Sequence, residues 1–182
     1  MNTANKLTMV RVALIPIFLV LLYLNLEFTL FGIVIHSNYL ALAVFCIAAL
    51  TDIADGVVAR KRNQITDFGK FMDPLADKVL TFAAMLWFVE MRIMPAWLVL
   101  IVIIREFMVT GMRLVAAAKG RVIAATLSGK IKTVVTICCL IAMFLPLQEW
   151  MLIVCRILIG VTTVVSGAEY FVKNRDIMKL DM

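Results

Sequence analysis

The 182 residues are 64 % apolar and 16 % charged, whereas a soluble domain carries about 45–50 % and about 25 %. Disorder and an ordinary water-soluble globule are excluded, and six spanning helices of about 20 residues would occupy most of the length. A net charge of +6 on so apolar a chain points to Lys and Arg on cytoplasmic loops, with no nucleic-acid partner.

In chain order, apolar stretches fall near 9–30, 39–59, 70–92, 95–118, 126–147 and 150–172. Each is long enough to cross a bilayer once. Backbone inside hydrocarbon must satisfy its own hydrogen bonds, and none of the stretches has the short alternation of barrel strands. The prediction is an all-α integral membrane protein, a six-transmembrane-helix bundle, in a single domain over residues 1–182. Residues 12–24 are similar to the apolar core of a secretory signal, but no small-x-small cleavage site follows, so this span is expected to stay attached. With the amino terminus inside, 16 of the 18 Lys and Arg lie on the inner side and only Arg92 and Arg156 on the outer. This bias places both termini in the cytoplasm and the chain in the inner (plasma) membrane as a multi-pass protein. Cys46, Cys138, Cys139 and Cys155 lie within apolar runs without metal-ligand spacing and read as packing. His36 falls in a short outer loop and is assigned no role.

The second and third stretches break the apolar pattern. Asp52 and Asp55 are spaced i,i+3 and Asp73 and Asp77 i,i+4, so each pair shares one face of its helix. The second span descends toward the cytoplasm and the third climbs back. At 1.5 Å rise per residue both pairs fall roughly 5–12 Å from the cytoplasmic boundary, a common depth in the inner leaflet. One ionised group at mid-membrane costs about 2.5–3.5 kcal/mol, so four require a function. Carboxylates at close range need cations among them. Oxygen ligands without His or Cys select Mg²⁺ or Mn²⁺, and four of them from two helices suffice for two ions about 4 Å apart, the arrangement used in phosphoryl transfer. Gly56 and Gly69 permit close approach of a ligand or a neighbouring helix, Arg60 can reach an anion, and Thr66 offers a hydroxyl.

The run Asp-x2-Asp-Gly-x2-Ala-Arg-x8-Gly-x3-Asp-x3-Asp, from Asp52 to Asp77, resembles the complete signature of the CDP-alcohol phosphatidyltransferases. The resemblance implies six transmembrane helices, a homodimer, and transfer of a phosphatidyl group from CDP-diacylglycerol to an alcohol with release of CMP. By position it makes Asp52, Asp55 and Asp73 ligands of two divalent cations, and Asp77 both a ligand and the general base on the acceptor hydroxyl. It also sets Gly56, Arg60, Thr66 and Gly69 along the nucleotide and diphosphate.

The remaining motifs resemble the bacterial branch of that family whose acceptor is sn-glycerol 3-phosphate. They are Asn5 to Arg11 with Pro16, Ile104 to Leu114, and Ser128 to Thr133. Arg105 lies about ten residues in from Pro95, roughly 15 Å deep, where a guanidinium needs an anion or a pairing with Glu106. Arg113 is only about 80° further round the helix, so both arginines can face one cavity. Lys130 and Lys132 are about 200° apart and cannot both do so. Lys130, beside Gly129, is taken as the residue facing the site and Lys132 as a flank. Arg105, Arg113 and Lys130 then suit an acceptor that carries its own phosphate. Asn5 and Thr8 either cap the first helix or touch the nucleotide.

Three rivals are weighed. One is the same chemistry with inositol phosphate, serine or phosphatidylglycerol as acceptor. A divalent-cation transporter would need polar residues continuing to the outer face, but the runs before Asp52 and after Lys78 are apolar. A membrane prenyltransferase would need two separate acidic clusters, and this chain has one.

Overall fold

The computed structural model describes the backbone of residues 3–24, 27–30, 33–62, 67–118, 120, 123–124 and 126–175, and the side chains of 13–24, 27, 36–51, 78–117, 120, 123–124 and 126–175. Among the described residues there are six helices: α1 (Thr3–Leu24), α2 (Ser37–Arg62), α3 (Asp67–Glu90), α4 (Ala96–Ala118), α5 (Leu127–Met143) and α6 (Glu149–Lys173). Each corresponds to one predicted stretch. The all-α expectation needs one correction, because β1 (Glu27–Leu30) and β2 (Ile33–His36) pair as an antiparallel hairpin between α1 and α2. The apolar run that the sequence assigns to the end of the first span and to a loop is instead Phe28-Thr29-Leu30 and Ile33-Val34-Ile35, β-branched and aromatic residues suited to strands.

The chain divides into two compact units, Met1–Trp87 and Phe88–Met182. In the first, α1 packs on α2. Phe18 and Leu22 are buried at spacing i,i+4, and Ala41, Phe45 and Ala48 at i,i+4,i+7, which is one stripe on each helix. The Phe18 and Phe45 rings meet at 5.9 Å, and the small Ala41 and Ala48 on either side of Phe45 let the helices approach.

In the second unit α6 packs on both α5 and α4. Its buried stripe, Leu152, Ile159, Thr163, Ser166 and Tyr170, is rich in small residues. Their hydroxyls are satisfied within the helix, Thr163 donating to the Ile159 carbonyl (2.6 Å) and Ser166 to that of Thr163 (3.1 Å). They therefore permit close packing without leaving buried polar atoms bare.

The turn from α3 to α4 closes with amides of Arg92 and Ile93 donating to the carbonyls of Val89 and Phe88, a helix terminus that needs a left-handed residue. Arg92 supplies it, at φ 58°. Arg156 of α6 donates from Nε to the Ile93 carbonyl at 2.6 Å. One of the two basic residues outside the inner-side set thus fastens the turn that holds the other.

Apolar surface points outward along α6: Ile157, Val161, Val164 and Val165 are more than half exposed. Among the described residues α6 is the one helix long and apolar enough to cross a membrane. Helix α4 is 23 residues long, but Arg105, Glu106 and Arg113 interrupt its apolar run. Helix α5 is 17 residues long.

Candidate functional site

The signature residues lie on consecutive helices. The backbone of α2 carries Asp52, Asp55, Gly56 and Arg60, and that of α3 carries Gly69, Asp73 and Asp77. Both acidic pairs therefore keep the helical spacing that sets each pair on one face. Their side chains, with those of Asn5 and Thr8 on α1, lie outside the described residues, as does the whole of Thr66. The expected convergence of four carboxylates on two ions falls there too.

Arg105, Arg113, Lys130 and Lys132 are all described, and two of them, Arg105 and Lys132, share one carboxylate. Glu106 Oε1 accepts from Arg105 Nη1 at 2.8 Å and from Lys132 Nζ at 2.8 Å. The side chains involved are 10 % exposed for Arg105, 13 % for Glu106 and 5 % for Lys132, so the ion pairs are shielded from solvent and hold more tightly than surface pairs. Adjacent residues on a helix point in different directions, but the long guanidinium arm of Arg105 bends back to its neighbour.

Two glycines make the slot for that arm. A Cβ at Gly129 of α5 would lie 3.2 Å from Arg105 Nη2, and one at Gly167 of α6 would lie 3.3 Å from Arg105 Cγ. Thr126 caps α5 by accepting from the Gly129 amide at 3.2 Å, which fixes the start of the helix that carries Gly129 and Lys132. Arg105 Nε is buried and has no hydrogen-bond partner among the described residues. Arg105 also lines an otherwise largely apolar cavity of about 330 Å³ between α4 and α6, with Ile101, Met108, Thr163, Gly167 and Tyr170 among the other walls.

Arg113 extends from α4 to α6 as well. Its Nε donates to the Tyr170 hydroxyl at 3.3 Å, and its guanidinium carbon lies 5.8 Å from the centre of that ring. Gly167 and Tyr170 are one turn apart on α6, so the two arginines address successive turns of one helix. Arg113 itself is exposed and does not line the cavity.

The two lysines differ in placement, and Lys132, expected as a flank, is the buried one. Lys130 is exposed, whereas Lys132 is buried and joined to Glu106. The missing side chain at Gly129 admits Arg105 and not a ligand of Lys130. A signal for this was present in the sequence: Lys132, Thr136, Leu140 and Met143 follow a helical period and all are buried, a stripe that Lys130 does not join. The Arg105–Glu106 pair is one of the two alternatives that the sequence offers, whereas Lys132 as a second donor to Glu106, and Gly167 as the second wall of the slot, had no such local sign because both depend on which helices become neighbours.

Residues 1–165 match the CDP-alcohol phosphatidyltransferase family. The chain is 43 % identical to a CDP-diacylglycerol–glycerol-3-phosphate 3-phosphatidyltransferase of Bacillus subtilis (strain 168), over 98 % of this chain and 97 % of that protein. It is 34 % identical to a probable phosphatidylglycerophosphate synthase of Mycobacterium tuberculosis, over 97 % of this chain and 83 % of the relative. It is also 38 % identical to a CDP-diacylglycerol–glycerol-3-phosphate 3-phosphatidyltransferase of Escherichia coli (strain K12), over 72 % of this chain and 70 % of the relative. With the signature unbroken on α2 and α3 and the match running through nearly the whole sequence, the chain belongs to the CDP-alcohol phosphatidyltransferase family.

Proposed function

We propose that this protein is the membrane enzyme that transfers the phosphatidyl group of CDP-diacylglycerol to sn-glycerol 3-phosphate, forming phosphatidylglycerophosphate and releasing CMP. The observation that carries the reading is the complete signature from Asp52 to Asp77 on two consecutive helices, in a chain similar from end to end to a relative bearing that activity in its name. We read one catalytic domain over residues 1–182, since the family match runs through both compact units.

The donor set suits hard divalent cations: four carboxylates at helical spacing, with no sulfur or imidazole among them. Asp52, Asp55, Asp73 and Asp77 would hold two Mg²⁺ or Mn²⁺ ions. Such ions, when bound, offset the charge that builds on the diphosphate. The chain's own residues do the rest. Asp77 takes the proton from the acceptor's primary hydroxyl. The hydroxyl oxygen then bonds to the lipid-bearing phosphorus, and the phosphoanhydride bond to CMP breaks. Gly56, Arg60, Thr66 and Gly69 line the nucleotide and diphosphate, with Asn5 and Thr8 at the nucleotide's edge. Arg105, Arg113 and Lys130 receive the acceptor's phosphate, as guanidinium and ammonium groups suit a phosphate dianion.

The same reading places the chain in the inner membrane as six spans and a homodimer, with both termini and the reacting groups on the cytoplasmic side. The 16-to-2 asymmetry of Lys and Arg and the outward apolar face of α6 support it, because such a face is stable in lipid and a liability in water. Purified protein given CDP-diacylglycerol should release CMP with glycerol 3-phosphate and not with inositol phosphate, serine or phosphatidylglycerol. Chelation should abolish release, and Mg²⁺ or Mn²⁺ should restore it. Release with another acceptor and none with glycerol 3-phosphate would remove the acceptor assignment, and full activity after exhaustive chelation would remove the metal assignment.

A further inference from the structure

A second cavity, of about 640 Å³, is a groove between α4 and α6 nearer the start of both helices. Its walls are apolar, with Trp97 and Ile101 on α4 and Ile157, Gly160, Val161 and Val165 on α6. The α6 members recur at helical spacing, so they form one strip that runs roughly 12 Å down the helix. A Cβ at Gly160 would lie 3.3 Å from Leu98 Cδ1, so the bare backbone there lets α4 close the floor of the groove. Its sides stay open: Ile157, Val161 and Val165 are more than half exposed, and Trp97 is 64 % exposed.

One charged side chain belongs to these walls, and it stands at the turn end. Arg156 Nε donates to the Ile93 carbonyl at 2.6 Å, which brings the guanidinium to the turn before α4 and fixes its plane. Arg156 Nη2 lies 3.9 Å from Glu149 Oε2, beyond hydrogen-bond reach, and that carboxylate is 80 % exposed while the arginine side chain is 25 % exposed. An ion pair of that kind holds weakly. Nη1 and Nη2 therefore form a fork already oriented by Nε, the geometry that receives the two oxygens of a phosphate. Two tryptophans mark the level. Trp97 and Trp150, 64 % and 58 % exposed, lie in the first turns of α4 and α6, and exposed indoles of a spanning protein sit at headgroup depth. The fork and the apolar strip thus match, in order, the headgroup boundary and the acyl region of one leaflet.

We infer that this groove is a binding site for a membrane glycerophospholipid, with its phosphodiester on Nη1 and Nη2 of Arg156 and one acyl chain lying along Gly160 and Val161. The site is separate from the transfer reaction, and it rests on the orientation proposed above only in that the leaflet is the outer one. A lipid held there ties the turn between α3 and α4 to α6 through the same arginine.

The test uses the full chain in detergent micelles with Trp87→Phe and Trp150→Phe, so that Trp97 alone reports. Its fluorescence is followed while phosphatidylglycerol brominated on its acyl chains is added, and again with a diacylglycerol brominated alike but lacking the phosphate. Half-quenching should need about tenfold less of the phospholipid, the difference expected from a charged hydrogen-bonded pair. Arg156→Met should erase that ratio, and Arg156→Lys, which keeps the charge without the fork, should leave a ratio of only a few-fold. Val161→Phe fills the groove and should raise the phospholipid needed several-fold with Arg156 in place. Should Arg156→Met fail to accumulate, Arg156→Lys decides by the same ratio. Equal quenching by the two lipids, a parental ratio in a folded Arg156 variant, or parental quenching in Val161→Phe overturns the site. Quenching by neither lipid shows the groove already covered, as by a second copy of the chain, and overturns it too. CMP release plays no part in the reading, so a protein inactive with glycerol 3-phosphate but quenched as expected would strike the proposed function and leave this site standing.

Discussion

Replacing Asp77 by Asn keeps the size of the side chain and removes both a negative metal ligand and the proton acceptor. Turnover should fall by at least about a thousandfold, within what loss of a general base coupled to a ligand produces, while the protein remains folded. CMP release near the parental rate would refute the base assignment. The glycines around Arg105 make a different kind of prediction. Nothing lies within 4 Å of a Cβ at Gly111 of α4, so Gly111→Ala gains helix propensity alone and should stabilise by about 0.5–1 kcal/mol. At Gly167 the added methyl meets Arg105 Cγ at 3.3 Å, close to the backbone where the chain has little freedom to yield. Gly167→Ala should therefore displace Arg105 and raise KM for glycerol 3-phosphate several-fold, about 1 kcal/mol of acceptor binding. Thermal unfolding of the two variants beside acceptor kinetics separates the effects, and equal behaviour of Gly111→Ala and Gly167→Ala would contradict the slot.

Among the elements, the turn between α3 and α4 depends on a contact made at long range in the sequence. Arg156 Nε donates to the Ile93 carbonyl, and it does so next to a residue, Arg92, held at positive φ. Removing the donor in Arg156→Met leaves that carbonyl without its partner and should lower stability by about 1–2 kcal/mol. Arg92→Gly should leave stability unchanged or slightly higher, because glycine adopts the left-handed conformation without steric cost. Melting in detergent reads both, and a neutral Arg156→Met would show that the hydrogen bond is replaced by solvent. The six helices were legible from the apolar stretches because each stretch is longer than a strand and is bounded by charge or turn residues. The hairpin was not legible. Glu27–Leu30 and Ile33–His36 are each only four residues, too short for period alone to separate a strand pair from the end of an apolar span.

For the whole molecule, the distribution of Lys and Arg predicts an orientation that labelling can check. In a chain with its four cysteines replaced, a cysteine at Met91 or Gln148 should react with an impermeant thiol reagent from outside the cell. One at Gly120 should react only after permeabilisation. Reaction at Gly120 in intact cells would invert the topology. The sequence by itself determined the family, the six helical stretches, the uneven distribution of positive charge along the chain and the spacing of the four aspartates. All of these are properties of composition, period and local order, which need no knowledge of what packs on what. Tertiary structure decided which lysine is buried, that Glu106 anchors two cations from neighbouring helices, and that Gly129 and Gly167 serve Arg105. Those outcomes turn on the facing of α4, α5 and α6, and a helix presents its residues to a neighbour only once the neighbour's place and rotation are set.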